Sequence, residues 1–280
     1  MMENRKISLI AVTYKKSKAL PNLVASLQIQ TYRNFELIVV VQDEESRILA
    51  ENCTAGSNFP VNILRSHSSC VSECRNTGLS VVSPASGVIA FPDDDCRYLK
   101  DTLTEVEAYF NKNPECGIIL GQHAAAEESI RPGAEDLPVS RFSCFKCGET
   151  YVQFYQKSAL RETTFNTAIG PGSDSRWPGG EDTDFLLRVM DAGASCRRVP
   201  AVKVLHPDAN IGAYYQQRII SYGRARMKVL ALHRFPLTFK ILNILYPLCR
   251  IPFESPRYWK FRGAMFYGRL SGFLAGLRDK

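Results

Sequence analysis

No stretch of this 280-residue chain comes near the ~18–20 consecutive apolar residues that a membrane-spanning helix needs, which excludes a span within it. Low-complexity tracts and collagen-like periods are absent too, so the composition is that of a folded globular protein with a sizeable core. The N-terminal "MMENRKISLIAVTYKK" has too short an apolar run for a signal peptide and no small-residue cleavage site; it reads as a first strand, and the protein as cytoplasmic. The nine cysteines are odd in number and form no framework, which points to free thiols in a reducing compartment. Cys144 and Cys147 in "SCFKCGE" lack the second ligand pair a zinc site requires, so two thiols in a loop is the simpler reading.

Charge is present but unevenly spread. The net +7 conceals a tail, from Arg197 onward, with sixteen Lys and Arg against three acids, leaving nineteen basic and twenty-five acidic residues before it. Over the first third, apolar runs ("ISLIAVTY", "FELIVVV", "VNIL", "GVIAF") alternate with helical spacings ("LPNLVASLQIQTY", "VSECRNTGLSVV"). This alternation predicts an α/β fold with a mostly parallel central sheet flanked by helices, whose ligands collect at the carboxyl ends of the strands. A polar stretch from Gln122 to about Gly148 shows no period, and loops of that length tend to be functional or mobile. After about residue 213, basic helices rich in Tyr, Phe and Trp follow, either lying in an anionic membrane interface or packed on the sheet with their basic faces in water.

Two acidic centres stand out. In "GVIAFPDDDC" a buried strand delivers Asp93, Asp94 and Asp95 together; their repulsion is relieved most directly by a hard cation such as Mg²⁺ or Mn²⁺. The alternative is a solvated turn that caps the helix beginning near Lys100. In "GPGSDSRWPGGEDTDFLLR" a glycine-rich loop bearing Trp177, Gly179 and Gly180 leads into a helix whose first turn carries Glu181, Asp182 and Asp184. Helix capping explains much of this, but not the loop ahead of the acids, which suits a base aimed at a bound hydroxyl.

The order of "ISLIAVTY", "FELIVVVQDE", "VSECRNTG", "GVIAFPDDDC", "GGEDTDFLLRVMDAG" and "VLHP" resembles the family 2 glycosyltransferases of the GT-A fold over about residues 5 to 210. An Asp-x-Asp with a Gly-Glu-Asp helix roughly ninety residues later carries the resemblance. It implies a Rossmann-like GT-A domain over 1–212, a helical, basic amphipathic appendage over 213–280, and inverting transfer from a nucleotide-diphosphate sugar, a UDP-sugar first. It implies Asp95 and Asp93 as ligands of Mn²⁺ or Mg²⁺, with Asp93 or Asp94 on the ribose and Asp182, beside Glu181, as base. Thr13 and Tyr14 match the nucleotide cradle. Asp43 or Gln42 would read the base, because "VVVQDEES" departs from the family's usual acids there. Arg75 matches a position near the diphosphate or is a structural ion pair, and His206 is either a metal or phosphate contact or a turn residue. Trp177, Gly179 and Gly180 would border the acceptor.

The acceptor implied by analogy is a glycan or lipid-linked glycan of bacterial surface-polysaccharide assembly, met at the inner face of the cell membrane. A nucleotidyltransferase would instead carry an N-terminal glycine-rich loop, and "AVTYKKSKAL" has no glycine. A non-catalytic scaffold would not need both acidic centres. Nucleic-acid binding fits the long apolar faces of the tail poorly.

Overall fold

The computed structural model describes residues 4–15, 19–129, 135–207 and 213–278. The first half alternates β1 (Lys6–Thr13), α1 (Leu20–Gln28), β2 (Phe35–Val41), α2 (Glu44–Thr54), β3 (Val61–Arg65), α3 (Val71–Leu79) and β4 (Ser86–Ala90). Then come β5 (Arg97–Tyr98), α4 (Thr102–Lys112), β6 (Cys116–Ala124), β7 (Leu137–Pro138), β8 (Gln153–Gln156), α5 (Lys157–Leu160), α6 (Glu181–Asp191) and β9 (Ser195–Leu205). The tail forms α7 (Ala213–Leu232), α8 (Leu237–Arg250) and α9 (Trp259–Arg278). The boundary expected at 212/213 borders residues 208–212, which lie outside the described residues.

One nine-stranded sheet has the order β3-β2-β1-β4-β8-β6-β9-β5, with β7 also on β9. The pairs β2–β3, β1–β2, β1–β4 and β6–β9 are parallel, while β8 is antiparallel to both β4 and β6. Crossing β8 reverses direction twice, so the carboxyl ends of β1, β2, β4, β6 and β9 share one edge, and β8 begins there.

Side-chain alternation splits the core by face. Ile7, Leu9, Ala11, Leu37 and Val39 pack with Leu20, Leu23, Val24 and Leu27 of α1 and Leu103, Val106 and Phe110 of α4. Ile10, Ile38 and Val40 pack on the other face with Cys74, Phe185, Leu187, Val189 and Met227. Full burial of each Val, Leu, Ile, Phe or Met among them stabilises by roughly 1.5–3 kcal/mol. The tail belongs to this second layer, because Val229, Leu230 and Ile244 are buried in it, with Phe266, Leu270 and Phe273 packed on it. The packing alternative is therefore realised on the inner faces of these helices. Backbones of α7 and α9 meet so closely that a Cβ on Gly268 would lie 2.5 Å from the Ile220 carbonyl oxygen.

Candidate active site

A cavity of about 1090 Å³ opens at the carboxyl edge of the sheet, lined there by Val12, Tyr14, Gln42, Asp93, Asp94, Asp95, His123 and His206. The opposite wall carries Gly179, Gly180, Glu181 and Asp182 from the start of α6, with Tyr222 and Arg226 from α7. The two acidic centres of the sequence thus face one space.

At the first centre, β4 ends three residues before Asp93, which bridges to Val12 at the end of β1, so the carboxylates project at the edge. His206 follows β9 onto the same edge. Its Nε2 lies 3.0 Å from Asp95 Oδ1 and 3.8 Å from Asp93 Oδ2. Tyr151 stacks on its ring at 4.2 Å, which fixes the plane of the imidazole. Burial depresses the His206 pKa, but the Asp95 hydrogen bond and charge outweigh that and raise it. The bond from His206 holds Asp95 low, whereas burial pushes Asp93 up against the pull of Arg75 and His206. Ligand atoms of Asp93, Asp95 and His206 all lie within 4.8 Å of one another. Two hard carboxylates and an imidazole fit Mn²⁺ or Mg²⁺, and the nitrogen donor would suit Mn²⁺ better. The three acids do not cap α4, whose N-cap position is Asp101.

The second centre forms because Gly180, at φ +85°, turns the chain into α6 with three acids in the first turn. A Cβ at Gly180 would stand 2.8 Å from Val229 Cγ2, so α7 can close on the helix start only over a glycine. Glu181, 6% exposed, accepts from Arg75 Nη1 at 3.0 Å. Asp184 is held by His233 Nε2 at 2.9 Å and Arg188, and serves structure. Asp182 accepts only from Thr183, backbone N–H at 2.6 Å and hydroxyl at 3.2 Å, among the described residues. Burial, then the Glu181 charge, push its pKa up to about 7.

Arg75 joins the centres, donating Nη2 to Asp93 at 3.2 Å and Nη1 to Glu181 at 3.0 Å. It sits 94% buried on the Phe165 ring and lines the same cavity, so the ion pair anticipated for it is also a cation inside the site.

Other expected residues fall outside the lining. Asp43 caps α2, accepting from the Ser46 N–H at 2.8 Å and from the Lys15 N–H at 2.7 Å. Burial opposes its ionisation, but these bonds prevail and lower its pKa. Of the alternatives at this strand end, Gln42 faces the cavity. Thr13 is buried behind Val12 and Tyr14, its hydroxyl without a partner among the described residues. Trp177, expected to border the acceptor, is 5% exposed in the core, and its carbonyl accepts from Gly170 and Gly179 to shape the loop. The apolar bulk of an indole buries best there, and the cavity is left to the glycines beside it.

Residues that the sequence did not single out complete the walls: Phe145, Glu149 and Tyr151 from the aperiodic stretch and its end, Tyr215, Arg218, Tyr222 and Arg226 from α7, and Met265 and Arg269 from α9. Cys144 and Cys147 join no metal-ligand cluster among the described residues, and burial pushes the Cys144 thiol up to about 12.

Residues 8–169, more than half of the chain, match the family described as "Glycosyl transferase family 2". An uncharacterized glycosyltransferase of Haemophilus influenzae is 29% identical over 128 residues, 45% of this chain, and the match spans only 41% of that relative's length. Two solved structures share the fold. S. aureus TarS 1-349 in complex with UDP-GlcNAc superposes with a TM-score of 0.63 at 13% identity, covering 98% of this chain and 92% of that one. The mannosyltransferase PcManGT from Pyrobaculum calidifontis in complex with GDP-Man and Mn²⁺ gives 0.62 at 13%, covering 98% and 74%.

Proposed function

The chain belongs to glycosyl transferase family 2, and on that premise we propose that it moves a sugar from a nucleotide-diphosphate sugar to a hydroxyl of a glycan or lipid-linked glycan, with inversion at the anomeric carbon. The observation that carries the proposal is one cavity with Asp93, Asp95 and His206 at one end and Asp182, of raised pKa, at the other. UDP-GlcNAc in one structural neighbour and GDP-Man with Mn²⁺ in another support this donor class.

In this reading Asp93, Asp95 and His206 hold Mn²⁺ or Mg²⁺, which supplies positive charge to the diphosphate of the donor. Tyr14 and Gln42 border the nucleotide. Asp182 accepts the proton of the acceptor hydroxyl as its oxygen bonds to the anomeric carbon and the bond to the diphosphate oxygen breaks. A pKa near 7 suits that task, since about half of such carboxylates are ionised at neutral pH and each is more basic than an ordinary aspartate. Glu181 keeps the Asp182 pKa high and holds Arg75 in place; Arg75 in turn brings a positive charge between the proton-accepting and leaving ends. Charge grows on the departing diphosphate as the bond breaks, so cationic neighbours stabilise the transition state more than the ground state.

Calorimetry tests the donor end. UDP should bind in the presence of Mn²⁺ and lose that metal-dependent affinity in Asp95→Asn; equal affinity in the two proteins refutes the assignment. A panel of nucleotide sugars, scored by binding and slow hydrolysis, then identifies the sugar.

The tail supports a peripheral membrane contact as part of the proposal. The outer side of α8 and the turn after it expose Leu242 (64%), Leu245, Tyr246 and Phe253 (81%), beside Arg257 and Lys260. Apolar area flanked by cations suits an anionic bilayer surface.

A further inference from the structure

Arg226 and Arg269 both line the cavity, and neither is answered by a carboxylate among the described residues. Arg226 Nε donates to Asn243 Oδ1 at 2.9 Å, and its guanidinium lies over the Phe145 ring at 4.4 Å. Its two Nη groups have no protein acceptor among the described residues. Arg269, 92% buried, gives Nη1 to the Asn243 carbonyl at 2.6 Å and Nη2 to the Met265 sulfur at 3.4 Å, while its Nε is buried with no partner. Every one of these partners is neutral. Arg75, the other buried guanidinium on this wall, has two carboxylates, so the lack of one here is a local property.

The surrounding charges sharpen the contrast. The titratable groups whose fields reach Arg226 are Arg269, Cys144 and Tyr246, and those reaching Arg269 are Tyr246 and Arg262. Arg262 is already committed to Glu254. Burial, then repulsion from Arg269, push Arg226 down to about 9, and burial pushes Arg269 down to about 10. A guanidinium stays charged at neutral pH in either case, so one buried and one half-buried cation share this wall with no carboxylate beside them among the described residues.

We propose that Arg226 and Arg269 form a subsite for a phosphate group carried by the sugar acceptor. Two guanidinium forks match the charge and the several oxygens of a phosphate better than a single carboxylate would. The place fits the acceptor. Ala225 and Val229, which flank Arg226 on α7, pack on Gly179 and Gly180 at the start of the helix that carries Asp182. The donor diphosphate already has Asp93, Asp95 and His206 at the sheet edge. The word acceptor rests on the transferase reading; the anion site does not.

The test is thermal unfolding of the full chain in EDTA without nucleotide, titrated with inorganic phosphate against chloride at matched ionic strength. Wild type should show a saturable rise in Tm that Arg226→Met and Arg269→Met lose. Arg226→Met should also match or exceed the wild-type Tm without phosphate, because it removes an unanswered charge. Absence of a saturable shift in wild type, or a full shift in both variants, overturns the proposal. Should a methionine variant fail to fold, Arg226→Lys and Arg269→Lys replace it. They keep the charge and lose the fork, so a weakened shift supports the subsite and an unchanged one overturns it. Glycerol phosphate and vesicles containing phosphatidic acid then separate a soluble phosphorylated acceptor from a lipid-borne one; binding of either supports the subsite, and binding of neither overturns it. Failure here leaves the donor reading standing, whereas failure of UDP to bind with Mn²⁺ removes that reading and the assignment of this phosphate to an acceptor.

Discussion

The base assignment makes a quantitative demand on pH. With Asp182 raised to about 7 by burial and the Glu181 charge, roughly a tenth of the sites are ionised at about pH 6 and nine tenths at about pH 8. Initial rates of transfer, or of donor hydrolysis in a nucleotide-sugar assay at saturating Mn²⁺, should therefore climb about tenfold over that interval and level off above it. Asp182→Asn should cost about 10²–10⁴ in turnover and abolish the limb. Glu181→Gln should shift the limb toward lower pH, because the second cause of the raised pKa is gone. Stability must run the other way. A carboxyl whose folded pKa lies above its unfolded 3.8 contributes stability that is fully present below 3.8 and lost as pH rises through about 7. At pH above 7 the asparagine variant should thus be more stable than wild type while much less active. The bound on that gain is about 4 kcal/mol, reduced by the partial exposure of Asp182. A flat wild-type profile, or a limb that survives in Asp182→Asn, refutes the assignment.

Two further outcomes bear on the tail. Gly268→Val drives a side chain into the Ile220 backbone and should lower Tm by several degrees and reduce turnover, since the same helix pair walls the cavity; unchanged melting and activity would contradict the close approach of α7 and α9. Wild type should sediment with phosphatidylglycerol vesicles, and Leu242→Asp with Leu245→Asp should abolish this; absence of binding at both low and high salt removes the membrane contact.

The apolar runs and helical spacings disclosed the parallel half of the sheet because each strand there is flanked by its own crossover, a local pattern. The antiparallel insertion of β8 was not readable, since nothing within "TYVQFYQ" says which strands it will lie between. Asp93 to Asp95 and Asp182 were legible as acids that local structure alone does not require. Asp43 is ambiguous in the sequence because a carboxylate at a strand end looks like a ligand, and the same residue opens α2. Its signal was present in "DEES", an acid followed by two glutamates in a first turn. Arg226 and Arg269 were invisible for a different reason. In sequence they are two of the sixteen basic residues of a tail, and only the packing of α7 on Gly180 and of α9 on α7 turns them inward.

That inward turn changes what the basic tail means. The sequence set packing against membrane binding as alternatives for the same helices; the structure packs their inner faces, which leaves only the exposed faces for the proposed membrane contact. Asn243 on the inner side of α8 receives Arg226 through its side chain and Arg269 through its carbonyl, so those two charges are spent on the cavity. Arg250 and Arg262 both bond Glu254. Near the exposed apolar surface of α8 this leaves Lys240, Arg257 and Lys260 as cations free of a carboxylate among the described residues. A surface charge adds about 1 kcal/mol at an anionic leaflet, comparable to the burial of one or two methylenes. Leu242, Leu245, Tyr246 and Phe253 therefore outweigh the cations, and vesicle binding should fall only modestly with salt while falling steeply when those side chains are replaced.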